Sequence, residues 1–206
     1  MKKARKPAGA GHGAFDLIDK RRLFTELRVE KSTVLLDLGS GKGDYTLRLA
    51  EITGPGGRVY AMDAWEEGLL QLRERASQSG QADIIMTVVA DANKGIPLSD
   101  KSIDICLMAT VLHDLLREET GEVVFREIVR VLKPGGRLAV LEFKKVERGP
   151  GPPLRIRLSE KEVESLLLPF GFTTAGISGI GEYHYLLIAE LPGPTAETRL
   201  EVPEED

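Results

Sequence analysis

Four acidic residues of the chain, Asp37, Asp63, Asp91 and Glu142, each follow a short apolar run that is typical of a buried parallel strand. The carboxyl ends of parallel strands meet at one edge of a sheet, so these side chains are expected to lie near one another. Carboxylates accept hydrogen bonds from hydroxyl and amino groups. The pattern therefore predicts a site for a polar small molecule at that edge.

The acid of the first strand opens a glycine-rich turn, in which Gly39, Gly41 and Gly43 occupy every second position. Glycines allow tight backbone conformations and let a ligand approach main-chain atoms closely. A dinucleotide-binding fingerprint would need its third glycine at position 44, where the chain has Asp44. A phosphate-binding P-loop would need Ser or Thr after Lys42, and Gly43 stands there. The spacing excludes both of these nucleotide-binding motifs.

The pattern Asp37-x-Gly39-x-Gly41-x-Gly43 instead resembles the glycine-rich motif of class I S-adenosylmethionine-dependent methyltransferases. Residues 132–138, Leu-Lys-Pro-Gly-Gly-Arg-Leu, are similar to that family's turn before the fifth strand. The resemblance spans roughly residues 34–143 and implies S-adenosyl-L-methionine as the cofactor. The residues that it places around the cofactor are Asp37, Gly39, Ser40, Gly41, Gly43, Tyr45, Asp63, Ala64, Trp65, Asp91, Ala92 and Ala109.

Within this resemblance, Asp63 is expected to bind the ribose hydroxyls, since it ends the second strand about 20 residues after the loop. Trp65 is expected to stack on the adenine, or else to cover the apolar edge of its own helix. Asp91 is expected to bind the adenine amino group, or else to cap a helix or turn. Asp37 is expected mainly to order the loop, and Lys42 to point to solvent or else toward the methionine carboxylate of the cofactor.

The methyl acceptor would lie beyond the same strand ends, where His113 is the candidate general base or substrate anchor. The alternative for His113 is a histidine at a helix start that bonds nearby backbone. His184 alternates with two tyrosines in a strand, which favours packing. No spacing motif supports a metal site on the three histidines, so no metal is expected. The candidate acceptor contacts are His12, Phe15, Thr110, Glu142 and Tyr183.

Strand and helix patterns alternate along the chain, which predicts an α/β fold with right-handed crossovers. We expect a Rossmann-like, doubly wound, mostly parallel sheet of seven strands with an antiparallel edge strand and helices on both faces. Helices are predicted at about residues 17–27, 45–52, 66–77, 123–132 and 159–168, the last opened by a capping box of Ser159 and Glu162. The predicted strands are residues 33–38, 58–62, 84–89, 103–109, 138–143, 172–177 and 183–189.

Three segments are expected: a flexible basic arm (1–13), a methyltransferase domain with an N-terminal lid helix (14–191) and an acidic, disordered tail (192–206). The net charge of −4 gives no electrostatic footprint for nucleic acid. The single cysteine, Cys106, excludes an internal disulfide. No apolar stretch approaches the roughly 20 residues of a membrane span. No apolar segment follows the basic start, so a cytoplasmic location is expected.

Residues 130–143 are similar to the ubiquinone/menaquinone-biosynthesis C-methyltransferases, which implies a small-molecule acceptor and, as a narrower alternative, a quinone precursor. Those enzymes carry a longer insertion where this chain has only residues 144–158. Residues 109–112, Ala-Thr-Val-Leu, lack the (Asp/Asn)-Pro-Pro-aromatic segment of enzymes that methylate base amines, so nucleic acid is not the expected acceptor. A non-catalytic S-adenosylmethionine-binding module is the other class that stays open. The acceptor atom, the need for a base and the oligomeric state are also left open.

Overall fold

The computed structural model describes residues 14–118 and 121–193. The basic arm with His12 and the tail beyond Gly193 lie outside this part of the chain. The helices are α1 (Lys20–Leu27), α2 (Asp44–Thr53), α3 (Glu66–Gln78), α4 (Leu112–Leu115), α5 (Gly121–Val131) and α6 (Glu160–Leu167). The strands are β1 (Val34–Leu38), β2 (Arg58–Asp63), β3 (Ile85–Val89), β4 (Ile103–Ala109), β5 (Leu132–Phe143), β6 (Thr173–Gly179) and β7 (His184–Glu190).

The seven strands form one sheet in the order β3-β2-β1-β4-β5-β7-β6. Neighbours from β3 through β5 run parallel, and β7 runs antiparallel to both β5 and β6. The predicted fold is confirmed, with the reversed strand lying inside the edge strand β6. The strand order changes direction between β1 and β4, so the two chain halves diverge there and leave a crevice at the carboxyl ends of these strands.

Two apolar layers hold helices against the sheet. Leu23 of α1, Leu49 of α2 and Leu72 of α3 belong to the cluster on one face. Phe125 of α5 and Val163 of α6 belong to the cluster on the other face. Cluster members are removed from water almost completely, which is the main stabilising contribution to such a fold.

Several element boundaries differ from the sequence prediction. Helix α1 begins at Lys20, because the Asp19 side chain accepts the Arg22 amide hydrogen and caps the helix there. Leu17 and Ile18 therefore precede the helix. Helix α5 ends at Val131, and Leu132 already pairs with Ile103 of β4, with a register shift before Ile105. The predicted capping box of α6 is present.

Candidate functional site

The glycine turn (residues 39–43) joins β1 to α2 at the crevice, and two of its glycines show different reasons for lacking a side chain. Both adopt positive φ, 56° at Gly41 and 82° at Gly43. A β-carbon at Gly43 would lie 2.2 Å from Cδ1 of Leu72, so this position is closed by packing. A β-carbon at Gly41 would meet nothing within 4 Å. Gly41 thus presents bare backbone to open space, as a closely approaching ligand requires.

The end of β2 anchors this turn. The amides of Gly39 and Ser40 donate to the Met62 carbonyl oxygen at 2.8 and 3.1 Å. One carboxylate oxygen of Asp63 accepts the Gly41 amide at 2.8 Å, and the other accepts the Trp65 amide at 2.7 Å. Asp63 therefore fixes the turn, and each oxygen retains a further lone pair for a ligand hydroxyl.

Asp37 lies beneath the turn and is 1% exposed. Thr46 of α2 donates its hydroxyl hydrogen to Oδ2 of Asp37 at 2.6 Å. Burial, with a smaller contribution from the Asp63 charge, raises the pKa of Asp37 to about 7, although the Thr46 hydrogen bond acts in the opposite direction. A cationic group close to Asp37 would favour its ionised form.

The first part of the site contains polar atoms that are buried without a hydrogen-bond partner. Among the residues that the structure describes, they are Oδ1 of Asp37, Oγ of Ser40 and the hydroxyl oxygen of Tyr45, all within the nine-residue segment 37–45. Burying such atoms unpaired costs about 1–3 kcal/mol each. All three residues belong to the segment that also carries the open backbone of Gly41, and together these groups form a candidate cradle for a polar ligand. The residues fit a ligand that offers both hydrogen-bond donors and acceptors.

The expected adenine contacts lie at the next strand ends. Trp65 precedes α3, is half-buried and packs its ring over Gly68, where a β-carbon would lie 2.4 Å from Cε3. Asp91 caps the short turn Ala92–Lys94 and pairs with Lys94 at 2.9 Å, which lowers its pKa. In the structure Asp91 therefore acts as a cap, which was the alternative expectation for this residue. Ala64 is half-buried and Ala92 is buried beside these residues.

The chain leaves β4 in a strained conformation. Thr110, a β-branched residue, has φ of 53° and donates its amide hydrogen to the Leu141 carbonyl oxygen at 2.7 Å. Such left-handed conformations cost free energy outside glycine and concentrate at functional sites. Ala109 before it is buried, and Val111 after it packs against Gly39. The start of α4 therefore abuts the glycine turn.

His113 and Glu142 form a buried pair across the ends of β4 and β5. Nδ1 of His113 lies 3.0 and 2.9 Å from the two carboxylate oxygens of Glu142. Glu142 is fully buried and also accepts the backbone amides of His113 and Phe143, each at 3.2 Å. These contacts favour the tautomer with hydrogen on Nδ1, which leaves Nε2 as the proton acceptor. Glu142 was expected to contact the methyl acceptor. In the structure its carboxylate is hydrogen-bonded to His113.

The pair also tunes the basicity of His113. Burial alone lowers the pKa of His113, but the hydrogen bond and charge of Glu142, with a smaller contribution from the charge of Asp114, outweigh it, so the pKa is raised above its ordinary value. The ring stays 6% exposed. His113 is therefore a histidine with an oriented ring and increased proton affinity, as a general base requires.

A second group of side chains surrounds Phe143 on the other side of β5's end. His184 begins β7 opposite Phe143, with ring centroids 4.3 Å apart. The Arg157 guanidinium lies over the Phe143 ring and donates to the carbonyl oxygens of Lys144, Val146, Pro150 and Pro152. Arg157 thereby organises the loop after β5. No local pattern in the sequence indicated this role of Arg157.

Phe15, Tyr183 and His12 are the other residues that were expected to contact the methyl acceptor. The Phe15 ring stands edge-on to the Tyr45 ring at 5.0 Å, and the Leu17 carbonyl oxygen would be 3.3 Å from a β-carbon at Gly181. Residues 14–18, rather than α1, thus run between the glycine turn and the β6–β7 turn. Tyr183 is half-buried and packs on Gly149. His12 lies outside the described residues.

Comparison with known proteins decides the family. A model described as a methyltransferase domain matches residues 36–140, from β1 through most of β5. The chain belongs to the methyltransferase-domain family. Its cofactor is S-adenosyl-L-methionine, and the glycine turn with its unpartnered polar atoms suits that ligand.

Individual relatives agree with the family assignment. The methyltransferase domain is 38% identical over 138 residues to a ubiquinone/menaquinone biosynthesis C-methyltransferase of Ectopseudomonas mendocina, covering 65% of this chain and 51% of that protein. An Azotobacter vinelandii protein of the same name is 36% identical, with 69% and 60% covered. The chain thus spans about half to three-fifths of these relatives' lengths.

A solved structure extends the likeness to the whole fold. A S-adenosylmethionine-dependent methyltransferase from Aquifex aeolicus superposes with a TM-score of 0.78 at 30% identity, covering 86% of this chain and 92% of that one. Within residues 14–118 and 121–193, no helix is long and apolar enough to cross a membrane. The same residues contain no group of three or more His, Cys, Asp or Glu side chains placed to hold a metal ion.

Proposed function

We propose that this domain transfers a methyl group to a small-molecule acceptor that carries an ionisable hydroxyl group, with His113 as the general base. The observation that carries the proposal is the buried His113–Glu142 pair at the ends of β4 and β5. Val111, two residues before His113, packs on Gly39 of the turn. The base and the cofactor cradle are therefore neighbours in one crevice.

S-adenosyl-L-methionine supplies a methyl group that its positively charged sulfur already activates. The protein's own task is to hold this ligand and the acceptor in line. Asp63 is proposed to take the ribose hydroxyls, Trp65 and Asp91 the adenine, and Asp37 to favour the cationic amino end. Ser40 and Tyr45 supply hydroxyl groups that lack partners within residues 14–118 and 121–193.

His113 is proposed to accept the hydroxyl proton of the acceptor at Nε2. Glu142 then stabilises the resulting imidazolium, because its carboxylate is held 2.9 Å from Nδ1. Loss of that proton leaves a phenolate or enolate, whose oxygen and whose ortho or α carbon are stronger nucleophiles than in the neutral acceptor. Glu142 acts here as a positioning residue.

The narrower acceptor class is a hydroquinone, that is, a quinone precursor in its reduced form. The relatives named for ubiquinone and menaquinone biosynthesis support this choice. A hydroquinone also offers the ionisable hydroxyl that His113 requires. The proposal includes a cytoplasmic location and excludes nucleic acid as the acceptor, in keeping with the net charge of −4.

The test uses S-adenosylmethionine with a trideuterated methyl group and 1,4-dihydroxynaphthalene kept reduced under anaerobic conditions. The expected result is a labelled methylated product, detected by mass spectrometry. His113→Gln is expected to lower turnover about 10²- to 10⁴-fold while cofactor affinity stays unchanged. Cofactor binding without label transfer would contradict the proposal and favour the alternative, a non-catalytic S-adenosylmethionine-binding module.

A further inference from the structure

Unpartnered buried polar atoms mark two places in the described residues. Three of the four residues concerned, Asp37, Ser40 and Tyr45, form the cofactor cradle. The fourth is His184, in which both ring nitrogens lack a hydrogen-bond partner. His184 lies at a different sheet position, at the start of β7. Buried polar atoms without a partner indicate a ligand at the glycine turn. By the same reasoning, the two ring nitrogens indicate a ligand group at His184.

Packing alone does not account for a histidine at this position. His184 is 0% exposed, and a neutral imidazole has one donor and one acceptor that both remain unpaired here. Leaving them so costs about 1–3 kcal/mol for each group. A phenylalanine could fill similar space without that cost. A polar group that hydrogen-bonds the ring would recover this free energy.

The surroundings of His184 indicate the chemistry of that partner. Burial, then the charges of Lys144 and Arg157, lower the pKa of His184 to about 4, so the ring is neutral near pH 7. The four carbonyl oxygens that hold Arg157 already occupy most of its donors. A neutral imidazole can donate to and accept from an uncharged hydroxyl, or donate to a carbonyl oxygen.

The position of His184 relates it to the proposed base. Phe143 has both histidine rings as neighbours, with centroids 6.3 Å from His113 and 4.3 Å from His184. His113 follows the end of β4 and His184 begins β7, and the end of β5 with Phe143 lies between these two strands. An acceptor with oxygens on two sides of an aromatic ring could use one histidine for each.

We infer that His184 hydrogen-bonds a second, uncharged oxygen of the methyl acceptor and so selects dioxygenated aromatic acceptors over mono-oxygenated ones. This inference rests on the proposed function, in which His113 takes the proton of the first hydroxyl. His184 acts in binding and specificity and takes no part in proton transfer.

The experiment compares 1,4-dihydroxynaphthalene with 1-naphthol as acceptors for the wild type, His184→Phe and His184→Gln. His184→Phe is expected to raise the KM for the diol about tenfold or more and to leave that for 1-naphthol within about twofold, because only the diol has a second oxygen. His184→Gln keeps a donor and an acceptor and is expected to recover part of the preference.

The melting temperature of the free protein serves as the control for the effect of these substitutions on the fold. His184→Phe is expected to raise the melting temperature of the free protein, because it removes unpaired buried atoms. Tyr185→Phe is the matched variant on the neighbouring residue, whose hydroxyl donates to the Leu158 carbonyl oxygen at 3.0 Å. It is expected to lower the melting temperature and leave the KM for the diol unchanged.

A spectroscopic measurement reports on His184 directly. The chain has three histidines, so imidazole ¹⁵N resonances can be assigned from single variants. Adding the diol with S-adenosylhomocysteine is expected to shift the His184 resonances. Unchanged KM in His184→Phe, or unshifted His184 resonances while the wild type methylates the diol, would overturn this inference alone. No methylation and no shift would overturn it together with the proposed acceptor class.

Discussion

Glu142 and His113 are held together by three hydrogen-bond donors on one fully buried carboxylate, two of them from the histidine itself. The pair joins the end of β5 to the first turn of α4. A pair built this firmly fixes the ring orientation before any acceptor arrives, and such preorganisation lowers the cost of reaching the transition state. The contact therefore makes a direct prediction about the pH dependence of turnover.

Glu142→Gln is expected to shift the acidic limb of the pH–rate profile to lower pH. Glu142 raises the pKa of His113. In the wild type the imidazolium therefore loses its proton at a pH above the ordinary histidine pKa, and turnover rises through that pH range. Removing the charge lowers the pKa and makes the base weaker, so the plateau rate should fall about tenfold or more. Steady-state kinetics from pH 5 to 9 measures both changes. An unshifted limb would exclude Glu142 as the group that tunes His113.

Gly41→Ala is expected to weaken cofactor binding far more than it weakens the fold. The β-carbon would enter the open space where the ligand approaches, and the left-handed backbone costs about 1–2 kcal/mol for alanine. Gly80→Ala is the matched control, since Gly80 also has positive φ, 69°, with nothing within 4 Å, but ends α3 away from the site. Chemical denaturation and calorimetry separate the two effects. Equal cofactor affinity in both variants would refute the assignment of Gly41.

Asp63→Ala is expected to weaken S-adenosylmethionine binding by about 1–3 kcal/mol, because it removes the proposed ribose acceptor and the anchor of the Gly41 amide. Asp104→Ala is the control, since Asp104 accepts the Val34 amide at 2.8 Å at the amino end of the sheet. It should lower stability without changing cofactor affinity. Calorimetric titration of both variants measures this, and an unchanged affinity in Asp63→Ala would be incompatible with the ribose role.

Asp37→Asn is expected to flatten the dependence of stability on pH between about 4 and 7. The folded pKa of Asp37, about 7, exceeds its ordinary value of 3.8, so the folded state binds the proton more tightly. The resulting stability is complete below pH 4 and is lost as pH rises to 7, a change on the order of 4 kcal/mol. The difference between wild-type and Asp37→Asn denaturation curves isolates this group from the others. Parallel curves at pH 4 and pH 7 would contradict the buried, protonated state.

The sequence predicted best the features that depend on neighbours along the chain. Asp37, the alternating glycines and Asp63 form a spacing pattern, and the structure shows Asp63 holding the turn. The parallel pairing of the strands from β3 through β5 follows from the repeated strand–helix units. These features are local, or follow from general rules of connection.

The features that depend on pairing between distant strands could not be read from the sequence. His113 and Glu142 are 29 residues apart, and their contact requires the register of β4 with β5. Thr110, whose φ is positive, donates its amide hydrogen to Leu141, which is 31 residues away and also requires that register. His184 alternates with tyrosines, which favoured packing, and only its three-dimensional surroundings show that both nitrogens lack partners in the described part of the chain.

Calorimetric titration of the wild type with S-adenosylmethionine, and separately with NAD, tests most directly the claim that the glycine turn and its unpartnered polar atoms form a S-adenosylmethionine site. The account predicts saturable binding of S-adenosylmethionine at one site per chain, and none of NAD, because Asp44 stands where the dinucleotide fingerprint needs glycine. Failure to bind S-adenosylmethionine, or binding of NAD in its place, would contradict it.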